Sequence, residues 1–181
     1  MIERKMSLVT NRLTLRPIED DSRDQMMKIL YNDQIKKTYM IPDFKTEADA
    51  EKMFQRFVTL SSDPNRYVYG VFYENRLIGF FNDVSKEDGE IEMGYVIYPD
   101  FHNRGFATEA FSAIIEELFR VGFTTVKAGY FCENDASRRV MEKCGLKETD
   151  KHEDIEYRGT VHHCNYTEIK NSYEDRKRTQ V

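Results

Sequence analysis

Residues 8–18 alternate: Leu13 and Leu15 fall on one side and Thr14 and Arg16 on the other, the period-two signature of a half-buried strand that Pro17 ends. Glu19, Asp20, Asp21 and Ser22 then give an acidic, cap-rich start to a helical pattern in Met26, Met27, Ile29 and Leu30, so a first helix is expected over residues 21–31. Residues 32–45 follow no period yet carry Tyr39, Met40, Ile41 and Phe44. A stretch this apolar is expected to cover a cleft or pack on the core rather than serve as a solvated linker. Thr46-Glu47-Ala48-Asp49 reads as a capping sequence ahead of Met53, Phe54, Phe57 and Leu60, which predicts a second helix over residues 46–60.

Two runs rich in β-branched and aromatic residues, 66–73 and 76–84, are separated by Glu74-Asn75 and read as a hairpin. Residues 85–89 read as a second turn and 90–98 as the next strand. Phe111, Ile114, Ile115, Leu118 and Phe119 recur at helical spacing until Gly122 ends a long helix. Residues 125–132 read as a strand, 134–144 as a short helix stopped by Gly145, and 146–169 as two strand-like runs around Arg158-Gly159. Residues 171–181 are charged, lack an apolar face and read as a frayed tail. This order predicts one domain over residues 1–170, an α/β (α+β) sandwich whose mixed, mostly antiparallel sheet of about seven strands is flanked by about four helices. The helix ending at Gly122 is expected to cross over, right-handed, so that the strand after it runs parallel to the strand before it.

With 40 % apolar and 13 % aromatic residues, 181 residues suffice for a real core. A net charge of −5 argues against nucleic acid as a partner, because phosphate binding needs a basic stripe. No window approaches the roughly 20 apolar residues of a membrane span, and residues 1–5 are too charged for a signal peptide, so no membrane partner is expected and the cytoplasm is the expected compartment. Cys132, Cys144 and Cys164 form no CxxC pair and read as reduced thiols rather than a disulfide framework or a zinc site. The pattern leaves monomer and homodimer equally open.

The chain is organised around residues 91–122: a strand, a Pro-led turn, one glycine and the long helix. Where the helix begins, at Arg104-Gly105-Phe106-Ala107-Thr108, several backbone N–H groups lack intrahelical partners, and with the positive end of the helix dipole they make an anion site. Gly105 allows close approach to a pyrophosphate, small Ala107 avoids a clash, and Arg104 and Thr108 can add a charge and a hydroxyl.

At His102-Asn103-Arg104-Gly105-Phe106-Ala107 the sequence resembles the acyl-CoA pyrophosphate loop of the GNAT acetyltransferases: Gln or Arg, two residues, Gly, one residue, then Gly or Ala. Four further stretches resemble the branch of that family containing the ribosomal-protein N-terminal acetyltransferases: residues 11–17 (NRLTLRP), 92–99 (EMGYVIYP), 107–110 (ATEA) and 133–146 (ENDASRRVMEKCGL). The resemblance spans residues 8–169, and His102 departs from it where Gln or Arg is usual. It implies acetyl-CoA as co-substrate, no metal, and a pantetheine arm running along the strand at Val96 and Ile97, with Asn134 holding the same arm. Phe106 belongs to the implied pyrophosphate loop. A dinucleotide fold is a poor rival, because the loop has a single glycine and three antiparallel strands precede it.

Attack on a thioester needs a neutral amine, so one group must take a proton and another should donate one to the departing thiolate. Many family members have a Tyr four residues before the helix-ending glycine, and here that position is Met141. Ser137, one turn after Asn134, is the alternative hydroxyl. Glu92, facing the same way as Glu90, Gly94 and Val96, is the candidate base through a water. His162-His163-Cys164 lacks ligand spacing, since neighbouring strand residues point to opposite faces. The reading is an N-acetyltransferase acting by direct attack in a ternary complex, with a protein N-terminal α-amine as acceptor. A small-molecule amine (aminoglycoside, polyamine or amino acid) and a non-catalytic acyl-CoA-binding module stay open. Residues 32–45, the second helix and a loop after Asp150 are expected to set the acceptor.

Overall fold

In the computed structural model, which describes residues 2–171, the opening alternation folds back on itself. β1 (Leu8–Val9) and β2 (Leu13–Arg16) pair antiparallel, Leu8 opposite Leu15, and are not the single strand that the pattern suggests. The turn is closed locally: Thr10 N–H donates to the Leu13 carbonyl and Leu13 N–H to Thr10 Oγ1, both at 2.9 Å. A 3₁₀ turn over Asp20–Ser22 leads into α1 (Arg23–Leu30), and Asn32 caps the short α2 (Asp33–Lys36) by accepting from Ile35 N–H. α3 (Glu47–Ser62) starts on a full capping box, with Thr46 and Asp49 each bonding the other's backbone N–H.

β3 (Tyr69–Tyr73), β4 (Arg76–Glu87) and β5 (Glu90–Ile97) form an antiparallel meander. Both residues at its first tip, Glu74 and Asn75, have positive φ, as a type I′ turn requires. The second turn is shorter than expected. Ser85, Lys86 and Glu87 pair with Glu92, Ile91 and Glu90, so ladder bonds hold as strand a run whose polar side chains suggested a loop, and only Asp88-Gly89 turn. α4 (Phe106–Val121) ends at Gly122, φ +111°, and β6 (Thr125–Phe131) then runs parallel to β5, as expected from a crossover. α5 (Asp135–Lys143), β7 (Lys147–Tyr157) and β8 (Thr160–Lys170) complete one eight-stranded sheet in the order β1-β2-β3-β4-β5-β6-β8-β7. The presumed loop after Asp150 is part of β7. The expected tail lies outside the described residues except for Asn171, whose N–H donates to the Thr124 carbonyl.

Two cores sandwich this sheet. The α4 face buries Leu15, Val71, Phe81, Phe111, Ile114 and Leu118, and the face of α1 and α3 buries Ile29, Leu30, Phe54, Phe72 and Phe80. β5 serves both, sending Ile91, Met93 and Ile97 to the first and Val96 to the second. Its pairing with β6 runs only from Glu90–Thr125 to Glu92–Lys127. Beyond Glu92 the two parallel strands part.

Candidate active site

The parting of β5 and β6 opens a cleft of about 590 Å³. Residues 93–97 line one wall and Gly129 and Tyr130 the other, with the start of α4, α5 and residues 34–39 closing the remaining sides. Because β5 has no strand partner on this edge beyond Glu92, the backbone groups it turns that way lie outside the sheet ladder and face the cleft. An ideal Cβ on Gly79 would fall 2.1 Å from the Val96 carbonyl oxygen, so that carbonyl leans on β4. By strand alternation Ile97 turns its backbone to the open edge, and there His102 Nε2 donates to the Ile97 carbonyl at 2.6 Å. His102, the departure from the family pattern, thus ties the loop to the strand.

Gly105 sits in left-handed conformation at φ +77°, and no side chain caps α4, which leaves its first amides directed at the cleft. Phe106, Ala107 and Thr108 line that mouth. Arg104 does not: its guanidinium lies over the rings of Tyr73, Phe101 and Phe106, at 5.1, 5.6 and 4.8 Å from their centroids. Three residues the sequence did not single out complete this end. Arg139 and Lys143, four apart on one face of α5, bring positive charge to the cleft wall. Arg12 brackets the loop, with Nε 2.7 Å from Glu109 Oε2 and Nη1 donating to the Arg104 carbonyl at 2.9 Å. Burial pushes the Glu109 carboxyl up, but bonds from Thr10 and Arg12 outweigh it and hold the carboxyl below its usual range.

Deeper in, Asn134 spends Oδ1 on the Ser137 N–H at 3.1 Å as the cap of α5, and its Nδ2 makes no hydrogen bond among the described residues. Ser137 Oγ lies 2.7 Å from Tyr95 Oη, inside the cleft. Burial raises the Tyr95 phenol far above its ordinary value, against the hydrogen bond from Ser137, so it stays protonated. Tyr95 is the hydroxyl that sequence reasoning missed: it comes from β5 rather than α5, and only strand alternation toward α5 could have signalled it. Met141 is 1 % exposed and packs against Thr167 in the core. Glu92 lies just outside the lining, at the apex where the strands part, and burial raises its carboxyl above the usual range while Lys151 and Lys127 partly oppose this.

His162 and His163 point to opposite faces. His162 Nδ1 meets Glu133 Oε1 at 2.5 Å and stacks on Phe131, while His163 Nδ1 meets Asp154 Oδ1 at 2.7 Å. Among the described residues no three His, Cys, Asp or Glu side chains are grouped to hold a metal ion, the three cysteines are unpaired thiols, and no helix is long and apolar enough to cross a membrane.

A split sheet with an uncapped, cation-flanked helix start at its mouth is an architecture that suits the class of N-acyltransferases drawing on a polyanionic acyl carrier such as coenzyme A. The sequence places the chain within that class: residues 12–147 match the acetyltransferase (GNAT) domain, and the chain belongs to the GNAT family. It is an acetyl-CoA-dependent N-acetyltransferase. It is 31 % identical over 147 residues to the uncharacterized N-acetyltransferase YnaD of Bacillus subtilis, covering 78 % of this chain and 83 % of that protein. The fold matches a GNAT-family acetyltransferase from Bacillus anthracis with a TM-score of 0.79 at 23 % identity, over 91 % of this chain and 98 % of that one. It also matches RimL, a ribosomal L7/L12 alpha-N-protein acetyltransferase solved with coenzyme A, with a TM-score of 0.78 at 17 % identity over 90 % and 96 % of the two chains.

Proposed function

We propose that the chain acetylates the primary α-amine of a protein N-terminus, by direct attack in a ternary complex. The observation that carries the reading is the charge of the cleft lining. Its charged side chains and its one imidazole, His102, Asp135, Arg139 and Lys143, belong to the α4 loop and α5; Arg139 and Lys143 suit a polyanionic cofactor arm there, and Asp135 is taken by Arg138 and Arg139. The opposite end, Gln34, Ile35, Thr38, Tyr39 and Gly94, carries no carboxylate. Asp43, beside that end, is taken by Lys36 and Arg158, each at 3.0 Å. Apart from nearby Glu92, which takes one amine proton on this reading, no carboxylate along the cleft lining is left for the further ammonium groups of a polyamine or aminoglycoside, whereas an acceptor with one amine needs no other. RimL, by its name, acts on a protein α-amine.

On this reading the amides of Phe106, Ala107 and Thr108 hold the pyrophosphate, the open edge of β5 and Asn134 Nδ2 hold the pantetheine arm, and acetyl-CoA supplies the activated acyl carbon. The acceptor nitrogen attacks that carbon, the C–S bond breaks onto sulfur, and the amine proton leaves through water to Glu92, about 7 Å along β5 from Gly94. The Ser137–Tyr95 pair returns a proton to the thiolate. Holding amine and thioester together supplies roughly 7–11 kcal/mol, more than the 10²–10⁴ in rate from proton transfer, so modest acid and base groups suffice. An α-amine of pKa about 8 is also about a hundredfold more neutral at pH 7 than a lysine of about 10.4.

Thiol release from acetyl-CoA, measured across peptides with unblocked N-termini, polyamines and aminoglycosides, tests the reading. Peptides are expected to be acetylated fastest at the α-nitrogen. Faster turnover of polyamines or aminoglycosides overturns the acceptor class, and thermal protection by acetyl-CoA with no thiol release for any amine leaves only a binding module.

A further inference from the structure

Tyr39 faces the acceptor end of the cleft and is held from several directions. Its N–H donates to the Ile35 carbonyl at 2.9 Å, its ring meets Phe80 edge-on, and its carbonyl accepts from Tyr157 Oη at 3.3 Å. Its hydroxyl lies 2.6 Å from Asn82 Oδ1. The direction of that bond is fixed by Asn82, whose Nδ2 donates to the Asp83 carbonyl at 3.3 Å and so turns Oδ1 toward the phenol. An amide oxygen only accepts, so Tyr39 must donate. Burial keeps the phenol protonated, and no second group bonds Tyr39 Oη among the described residues. The oxygen therefore offers the cleft an acceptor and no donor. It lies 3.1 Å from where a Cβ on Gly94 would stand, at the start of the open edge of β5.

We propose that Tyr39 Oη accepts one N–H of the acceptor amine and so selects primary over N-alkylated amines, with Asn82 fixing its hydrogen and Gly94 leaving it room. The inference rests on the acetyltransferase reading of the same cleft. A neutral primary amine has a lone pair and two N–H bonds. The lone pair forms the new C–N bond as the C–S pair leaves on sulfur, one N–H proton departs through water to Glu92, and the other N–H remains in the amide product. Tyr39 holds the N–H that remains. An N-methylated amine has one N–H, must lose it, and keeps nothing for Tyr39.

The test compares a peptide bearing a primary N-terminus with its N-methyl counterpart, in wild type, Tyr39→Phe and Asn82→Ala, following CoA release. Tyr39→Phe is expected to lower kcat/KM for the primary amine about tenfold and for the N-methyl amine less than about twofold, with the acetyl-CoA KM unchanged. Asn82→Ala, which leaves the phenol in place but frees its hydrogen to point at the amine, is expected to show the same selective loss and covers the case in which the Phe variant fails to fold. An equal fall on both amines, or no fall on the primary one, overturns the assignment while leaving the acetyltransferase reading intact. A wild-type protein that releases no CoA with either amine overturns both.

Discussion

A side chain at Gly105 would have to adopt φ +77° and would meet Arg12 Nη2 at 3.4 Å. Gly105→Glu adds a negative charge at the anion site to that strain, and is expected to abolish acetyl-CoA binding by calorimetry while circular dichroism shows the fold kept; unchanged affinity would move the pyrophosphate elsewhere. If the Tyr95–Ser137 pair donates the proton as proposed, Tyr95→Phe and Ser137→Ala should each lower kcat by about 10²-fold with the acetyl-CoA KM kept. If neither change slows single-turnover acetylation, the pair donates no proton. Glu92 acts as a base only when ionised, and burial raises its carboxyl above the ordinary 4.5. The rate should therefore climb with pH through a limb displaced upward from that value, and Glu92→Gln should remove the limb; a variant that retains it would exclude Glu92.

At the scale of elements, β4 and β5 meet most tightly at Gly79. A Cβ there would strike the Val96 carbonyl at 2.1 Å, and the neighbour is backbone rather than a flexible side chain. Gly79→Ala is expected to cost about 1–3 kcal/mol of stability in urea unfolding and to raise the acetyl-CoA KM, because β5 must shift at Val96 and Ile97, on its open stretch. A variant as stable as wild type would show that β5 yields without cost. The elements themselves were largely legible. Helical spacing in α4, the Thr46–Asp49 box and the Glu74-Asn75 and Arg158-Gly159 tips are local signals, and each structural feature sits where they fall. Residues 85–87 misled because their side chains are polar, while pairing to β5 is a long-range fact. Residues 8–18 misled in the opposite way: a single strand continued back from Leu13 and Leu15 would put Leu8 on the other face, yet Leu8 packs on the same core from an odd offset, which the turn at Thr10 makes possible.

Across the whole molecule, the N-terminal segment is tied to α4 by a buried acid. Glu117, 4 % exposed, accepts from Lys5 N–H at 2.6 Å and pairs with Arg120, which also reaches the Glu3 carbonyl. Burial pushes the Glu117 carboxyl up, and these bonds outweigh it and hold the carboxyl below its usual range. A carboxyl depressed in the folded state stabilises above its unfolded pKa of about 4.3, and that contribution disappears as pH falls through the folded value. Glu117→Gln is accordingly expected to be about 2 kcal/mol less stable than wild type at pH 7, with the gap closing in acid. A gap that stays constant with pH would mean that the carboxylate charge contributes nothing.

The sequence alone determined what short-range physics encodes: the order of the elements from α3 onward, the capped and glycine-stopped helices, and the uncapped start of α4 with Gly105 before it. It also carried the family, through a loop and flanking stretches with fixed spacing. Tertiary structure decided what depends on where strands part. Once pairing between β5 and β6 stops at Glu92, the pleat turns Tyr95 toward Ser137 and Gly94 toward Tyr39, residues 42 and 55 positions apart in the chain. Side-chain direction on a strand is local, but the partner it meets is set by the register of the whole sheet. That is why the Tyr95–Ser137 pair and the cleft-facing phenol of Tyr39 emerged only from the fold, although Ser137 itself was legible.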